Sequence, residues 1–196
     1  MQNNNIPSTL LENADHTLKE WSELSAQFKW SAEVMETVQA VFVSSEYVAR
    51  LCLRFPEILY DLQETGYLFQ SYEAGKITAI LTERLHSISN EADLVKHLRQ
   101  FRQREMIRII WRDLAGWADL VETMRDLSEL ADTCVELALE HIYKWCCEEY
   151  GTPKDENGVA QHLVVLGMGK LGGHELNLSS DIDLIFAYPE EGQTLG

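Results

Sequence analysis

The sequence predicts an α+β chain: an all-helical region over residues 1–150, then the opening of an α/β unit over 151–196, cut short after its first strands. Three observations predict it. Apolar residues recur at steps of three and four through most of the first 150 positions. Gly151 and Pro153 break that pattern. Two short apolar runs, 163–166 and 182–188, then flank a glycine-rich stretch over 167–180.

A disordered start is expected at 1–8, then a helix over 9–28 with Leu10, Leu11, Leu18, Trp21 and Leu24 as its apolar residues. Ser31 is placed to cap a second helix carrying Val34, Val38, Val41 and Phe42 on one face. A third, 45–55, is interrupted by Pro56. Gly66 and Gly75 mark loops, and 77–86 is a further helix. Asn90 is placed to cap a long helix over 91–113, with Leu94, Leu98, Phe101 and Ile109 as its apolar residues. That helix also bears Lys96, Arg99, Arg102, Arg104, Arg108 and Arg112, for which ion pairs with Glu105, Asp113 and surface acids are expected.

Gly116 allows a bend, and the next helix has the clearest pattern. Leu120, Met124, Leu127, Ala131, Cys134, Ala138, His141 and Trp145 form one apolar seam. After a polar loop over 152–158, the run 163–166 is expected as a buried strand and 182–188 as a second strand, ended by Pro189. Two strands cannot bury both faces of a sheet. They therefore complete a partner's sheet or, the preferred expectation, begin a domain of a longer protein.

The 196 residues carry 32 acidic and 16 basic side chains, a net charge of −16. That charge repels phosphate backbones, so no nucleic-acid partner is expected. A phosphorylated small molecule fits only if a bound cation reverses the local field. The four cysteines, Cys52, Cys134, Cys146 and Cys147, form no zinc-ligand spacing and are expected as reduced thiols. With no targeting segment and no run long enough for a bilayer, a cytoplasmic protein without a membrane partner is expected.

Candidate chemistry gathers in the glycine-rich stretch. Asp181 and Asp183 flank Ile182 at the expected start of a strand, where residues i and i+2 share a face. Two neighbouring carboxylates favour a cation between them, and Mg2+ suits one or two carboxylates completed by phosphate and water. Gly172 and Gly173 offer bare backbone to a phosphate, and Ser179 or Ser180 a hydroxyl. Lys170 is the nearest positive charge and is placed to steer a phosphate. His174 is read either as a substrate contact or as a surface residue, and Asn177 as a turn former through its own side chain.

The stretch from Gly167 through Gly172-Gly173 to Asp181-Ile182-Asp183 resembles the signature of the glutamine synthetase adenylyltransferase/adenylyl-removing enzymes, a nucleotidyltransferase family. The segments 98–116 and 126–132 also resemble it, and residues 1–90 do so only in helical character and placement. Family members are long and bifunctional, with two nucleotidyltransferase domains. The resemblance implies that 151–196 begins the adenylyl-removing domain, in which phosphate attacks an adenylylated tyrosine of glutamine synthetase and ADP leaves. It implies that Asp181 and Asp183 hold Mg2+ and that Gly172, Gly173 and Ser180 contact nucleotide phosphates. Adenylylated glutamine synthetase, ATP or ADP, phosphate and the PII signal protein are the implied partners. Family members often have Arg where His174 stands, and their third carboxylate falls beyond Gly196, so the chain by itself is expected to be inactive. The alternatives are a helical protein-binding module with a non-catalytic remnant, or a nucleotidyltransferase with a different acceptor.

Overall fold

A computed structural model of the chain describes residues 8–191 and 194, with side chains from residue 15 on. The expectation for 1–8 therefore falls, but for Ser8, outside the described residues, as do the side chains of Leu10 and Leu11. Seven helices come first: α1 (Ser8–Leu24), α2 (Ala32–Ser44), α3 (Glu46–Arg54), α4 (Pro56–Glu64), α5 (Lys76–Leu85), α6 (Glu91–Leu114) and α7 (Leu120–Tyr150). Then follow β1 (Val164–Gly167), α8 (Gly169–Gly172) and β2 (Leu184–Ala187). The two strands pair antiparallel, Val164 opposite Ala187 and Gly167 opposite Leu184. No helix among the described residues is long and apolar enough to cross a membrane.

Local chemistry explains the boundaries. The Ser31 hydroxyl accepts from the Val34 N–H at 3.3 Å and starts α2, as expected. Asn90 does the same for α6, its side-chain oxygen accepting from Asp93 N–H at 2.9 Å. Pro56 does more than interrupt α3: it opens α4, a helix the sequence reading missed. Proline suits a first turn, where its absent N–H goes unmissed. Gly151, at φ 84°, closes α7.

The chain forms two compact units. The secondary structure changes character after Tyr150, but the units interleave along the sequence. The first comprises residues 1–73 and 100–123. Val34, Val38, Val41 and Phe42 are buried there, beside Trp21, Leu59, Leu62 and Trp111. Three of the arginines for which ion pairs are expected lie in this core: Arg104, Arg108 and Arg112 are at most 3% exposed, and Arg104 makes the expected pair with Glu105. Arg104 also pairs with Asp61. Arg108 donates to the carbonyls of Tyr67 and Gln70, and Arg112 to those of Leu68 and Trp117 as well as to Glu122. The turn after α4 has carbonyls that no helix satisfies, and the guanidinium forks supply the donors.

The second unit comprises residues 74–99 and 124–196. Here α5 buries Ile77, Leu81 and Leu85, and the Thr78 and Thr133 hydroxyls meet at 2.7 Å. The expected seam on α7 is displaced. Leu127 is its one buried member, while Asp126, Ser128, Leu130, Thr133 and Leu137 are buried around it; Leu120, in the part of α7 that belongs to the first unit, is 66% exposed. Cys134 is half-buried rather than buried. Polar residues enter the buried stripe because each finds a partner, which hydropathy spacing does not register.

Candidate functional site

β1 and β2 frame the loop that carries the candidate site. β1 is displaced by one residue from the expected run and is not buried, and β2 is shorter than expected. Val164, Leu166 and Ile185 are all more than 40% exposed. By pairing parity these residues share one face with Ala187, and that face is open among the described residues. The opposite face borders a cavity of about 290 Å³, lined by Asp132, Glu136 and Leu139 of α7 and by Val165, Gly167 and Leu184.

Asp181 and Asp183 lie just ahead of β2 rather than within it. Asp183 still continues the ladder, because its carbonyl accepts from the Met168 N–H at 2.9 Å. The register therefore assigns Asp183 to the open face, with Ile185, and away from the cavity beside α7. Both aspartates are exposed, and neither side chain takes a hydrogen bond or ion pair among the described residues.

The glycines close the other side. α8 ends in a Schellman arrangement: His174 N–H donates to the Leu171 carbonyl at 3.0 Å and Glu175 N–H to that of Lys170 at 2.8 Å. His174 occupies the left-handed position at φ 53°, where glycine is the usual residue. A Cβ on Gly172 would stand 2.5 Å from the Gly167 carbonyl oxygen, so the fold itself requires that glycine. Gly173 has ordinary helical φ and no neighbour closer than 3.7 Å to a would-be Cβ. Lys170 is exposed at the end of the same turn.

From Asn177 to Ser180 the chain knots on itself. The Ser180 hydroxyl donates to the Asn177 side-chain oxygen at 2.7 Å and accepts from the Asn177 N–H at 3.2 Å. Asn177 thus forms the turn, as expected. Ser180 is tied into that turn directly before Asp181.

Sequence reasoning missed two residues that reach this loop. Ser128 on α7 accepts from the Leu176 N–H at 3.3 Å. Asp132, one turn on, lies 3.8 Å from His174 Nδ1. Burial pushes the Asp132 carboxyl above the usual range; His174 pulls it down and Glu136 pushes it up. The available signal was two polar residues, four apart, inside the 126–132 segment already singled out.

Two exposed, unpartnered carboxylates beside a glycine turn match the donor set Mg2+ accepts: hard oxygen ligands, with room for water and phosphate. Among the described residues no third histidine, cysteine or acid joins them to form a closed metal cluster.

A helical chain leading into strand, glycine turn, paired carboxylates and strand defines the class: a scaffold that presents an acidic, solvent-open site on a small sheet. The chain belongs to the glutamate-ammonia ligase adenylyltransferase family, whose model matches residues 35–196. It is similar to the bifunctional glutamine synthetase adenylyltransferase/adenylyl-removing enzyme of Nitrosococcus oceani, 51% identical over 90% of this chain and 18% of that protein. The enzyme of the same name from Pseudomonas aeruginosa is 44% identical over 98% of this chain and 21% of that protein. The one from Pseudomonas syringae pv. tomato is 41% identical over 97% and 20%. The chain thus spans about a fifth of the length of these relatives. The similarity reaches further toward the N-terminus than the 98–190 stretch in which the motifs are recognisable.

Proposed function

We propose that the chain forms the first part of an adenylyl-removing nucleotidyltransferase domain acting on adenylylated glutamine synthetase, with phosphate consumed and ADP released. The observation that carries this reading is the position of Asp183. Its carbonyl is held by Met168 at the end of the β1–β2 ladder, and its carboxylate is exposed and unpartnered. The names and sequences of the relatives support the substrate.

In this reading Asp181 and Asp183 hold Mg2+, which when bound neutralises phosphate charge and favours attack at phosphorus. The Gly173 N–H is taken by the Gly169 carbonyl at 3.1 Å, so what Gly173 offers a phosphate is close approach at a Cα that bears no side chain. Gly172 keeps the turn tight, Ser180 fixes the entry to Asp181, and exposed Lys170 attracts the anion. The chain's own contribution is positioning and charge placement rather than covalent chemistry. The PII signal protein and ATP belong to the same proposal through the family, as does a cytoplasmic location.

The test is ADP release from adenylylated glutamine synthetase, with phosphate and Mg2+, by the full-length gene product. Asp181→Asn and Asp183→Asn are expected to abolish it. Undiminished ADP release by both variants refutes the assignment. Mg2+-independent docking of glutamine synthetase without turnover favours the protein-binding alternative.

A further inference from the structure

Ser128 is fully buried on α7. Its hydroxyl uses its one proton on the Met124 carbonyl, at 2.8 Å. The oxygen's acceptor side takes the N–H of Leu176, which is itself only 5% exposed. Without Ser128 that amide would be buried and unsatisfied. Asp132 stands four residues further along α7, on the same side of the helix, and faces His174. The two contacts bracket Glu175. Directly beyond Leu176 comes the Asn177–Ser180 knot, and directly beyond that Asp181. On the other side, Gly173 adjoins His174.

We propose that Ser128 and Asp132 are positioning residues for the Asp181–Asp183 site: α7 grips the loop at Leu176 and His174, and so sets the spacing between the glycine turn and the carboxylates. Ser128 is the stronger arm, because its contact is buried. Asp132 is the weaker, because its side chain is 46% exposed and that of His174 is 70% exposed. A role confined to packing would be met by alanine; the hydroxyl matters because it joins two backbones. The proposal rests on the nucleotidyltransferase reading for its effect on turnover, though not for the grip itself.

The experiment uses the full-length protein with Ser128→Ala, Ser128→Thr and Asp132→Asn. Two quantities are read: hydrogen exchange at the Leu176 amide without substrate, and ADP release from adenylylated glutamine synthetase. Ser128→Ala is expected to speed Leu176 exchange and lower kcat, each about tenfold, with KM for the protein substrate within about twofold of wild type. Ser128→Thr restores both, and Asp132→Asn changes kcat about two- to threefold. Should Ser128→Ala fail to fold, Ser128→Cys, whose sulfur is a weak acceptor, is read in its place. Unchanged Leu176 exchange, or a loss that Ser128→Thr does not restore, overturns the proposal. A wild-type protein that releases no ADP overturns the functional reading instead, and exchange at Leu176 then decides the grip.

Discussion

The carbonyl oxygen of Gly167, the last residue of β1, lies so close to Gly172 that a Cβ on Gly172 would stand 2.5 Å from it. The adjacent Gly173 has no such neighbour. The two glycines therefore answer to different demands, and alanine separates them. Gly172→Ala forces backbone to move and is expected to destabilise by about 1–3 kcal/mol, seen as a lower urea midpoint. Gly173→Ala is expected to leave that midpoint unchanged and to weaken Mg2+-dependent nucleotide binding, measured by calorimetry. Nucleotide affinity equal to wild type in Gly173→Ala would show that its bare backbone serves no ligand.

Asp181 and Asp183 carry no structural partner among the described residues, so their loss should cost function without cost to the fold. Asp181→Asn and Asp183→Asn are expected to melt at the wild-type temperature while losing the Mg2+ dependence of nucleotide binding. A drop of many degrees in either variant would assign that carboxylate a structural role instead.

Arg108 is fully buried, donates to the Tyr67 and Gln70 carbonyls, and lies 3.3 Å over the Tyr72 ring. Hydrogen bonds from a charged donor are worth about 1.5–3 kcal/mol each, and both carbonyls would lose theirs in Arg108→Met. A loss of roughly 3 kcal/mol or more is expected from denaturant unfolding. Arg108→Lys should recover little, because a single ammonium cannot span the two carbonyls as the planar fork does.

Tyr72 gives the first unit an alkaline limit. Burial, and then the Glu105 charge, push its phenol from 10.0 up to about 12, against the pull of Arg108 and Arg104. The folded chain thus holds this proton more tightly than the unfolded chain. The resulting stabilisation is whole below pH 10 and is lost as pH rises through about 12. The rise is worth roughly 3 kcal/mol. Stability from urea unfolding should fall between those limits, and Tyr72→Phe should fall less. Equal slopes in the two proteins would remove Tyr72 from the account.

Elements governed by local chemistry were legible. Ser31 and Asn90 cap α2 and α6 because a side-chain oxygen three residues before a free N–H needs no distant partner. The Asn177 turn and the end of α7 at Gly151 are local in the same sense. The start of α4 was also written locally, in Pro56, but that residue marks an end and a beginning equally well. The buried stripe of α7 was misjudged because Ser128, Thr133 and Asp126 are polar yet buried. The Arg104–Glu105 ion pair was legible, but the burial of Arg104, Arg108 and Arg112 was not, because Asp61 and the carbonyls of Tyr67 and Leu68 lie about 40 residues away.

By itself the sequence determined the order of helix, strand, glycine turn and carboxylate pair, because backbone preference and side-chain periodicity act over a few residues. It also singled out Gly172, Gly173, Asp181 and Asp183 as the candidate site proposed above. Only the tertiary structure decided that Gly172 answers to the Gly167 carbonyl, that Asp183 lies on the open face of the ladder, and that Ser128 holds Leu176. Those relationships depend on atoms brought within about 3 Å across gaps of 5 to 48 residues, distances that spacing along a chain does not encode.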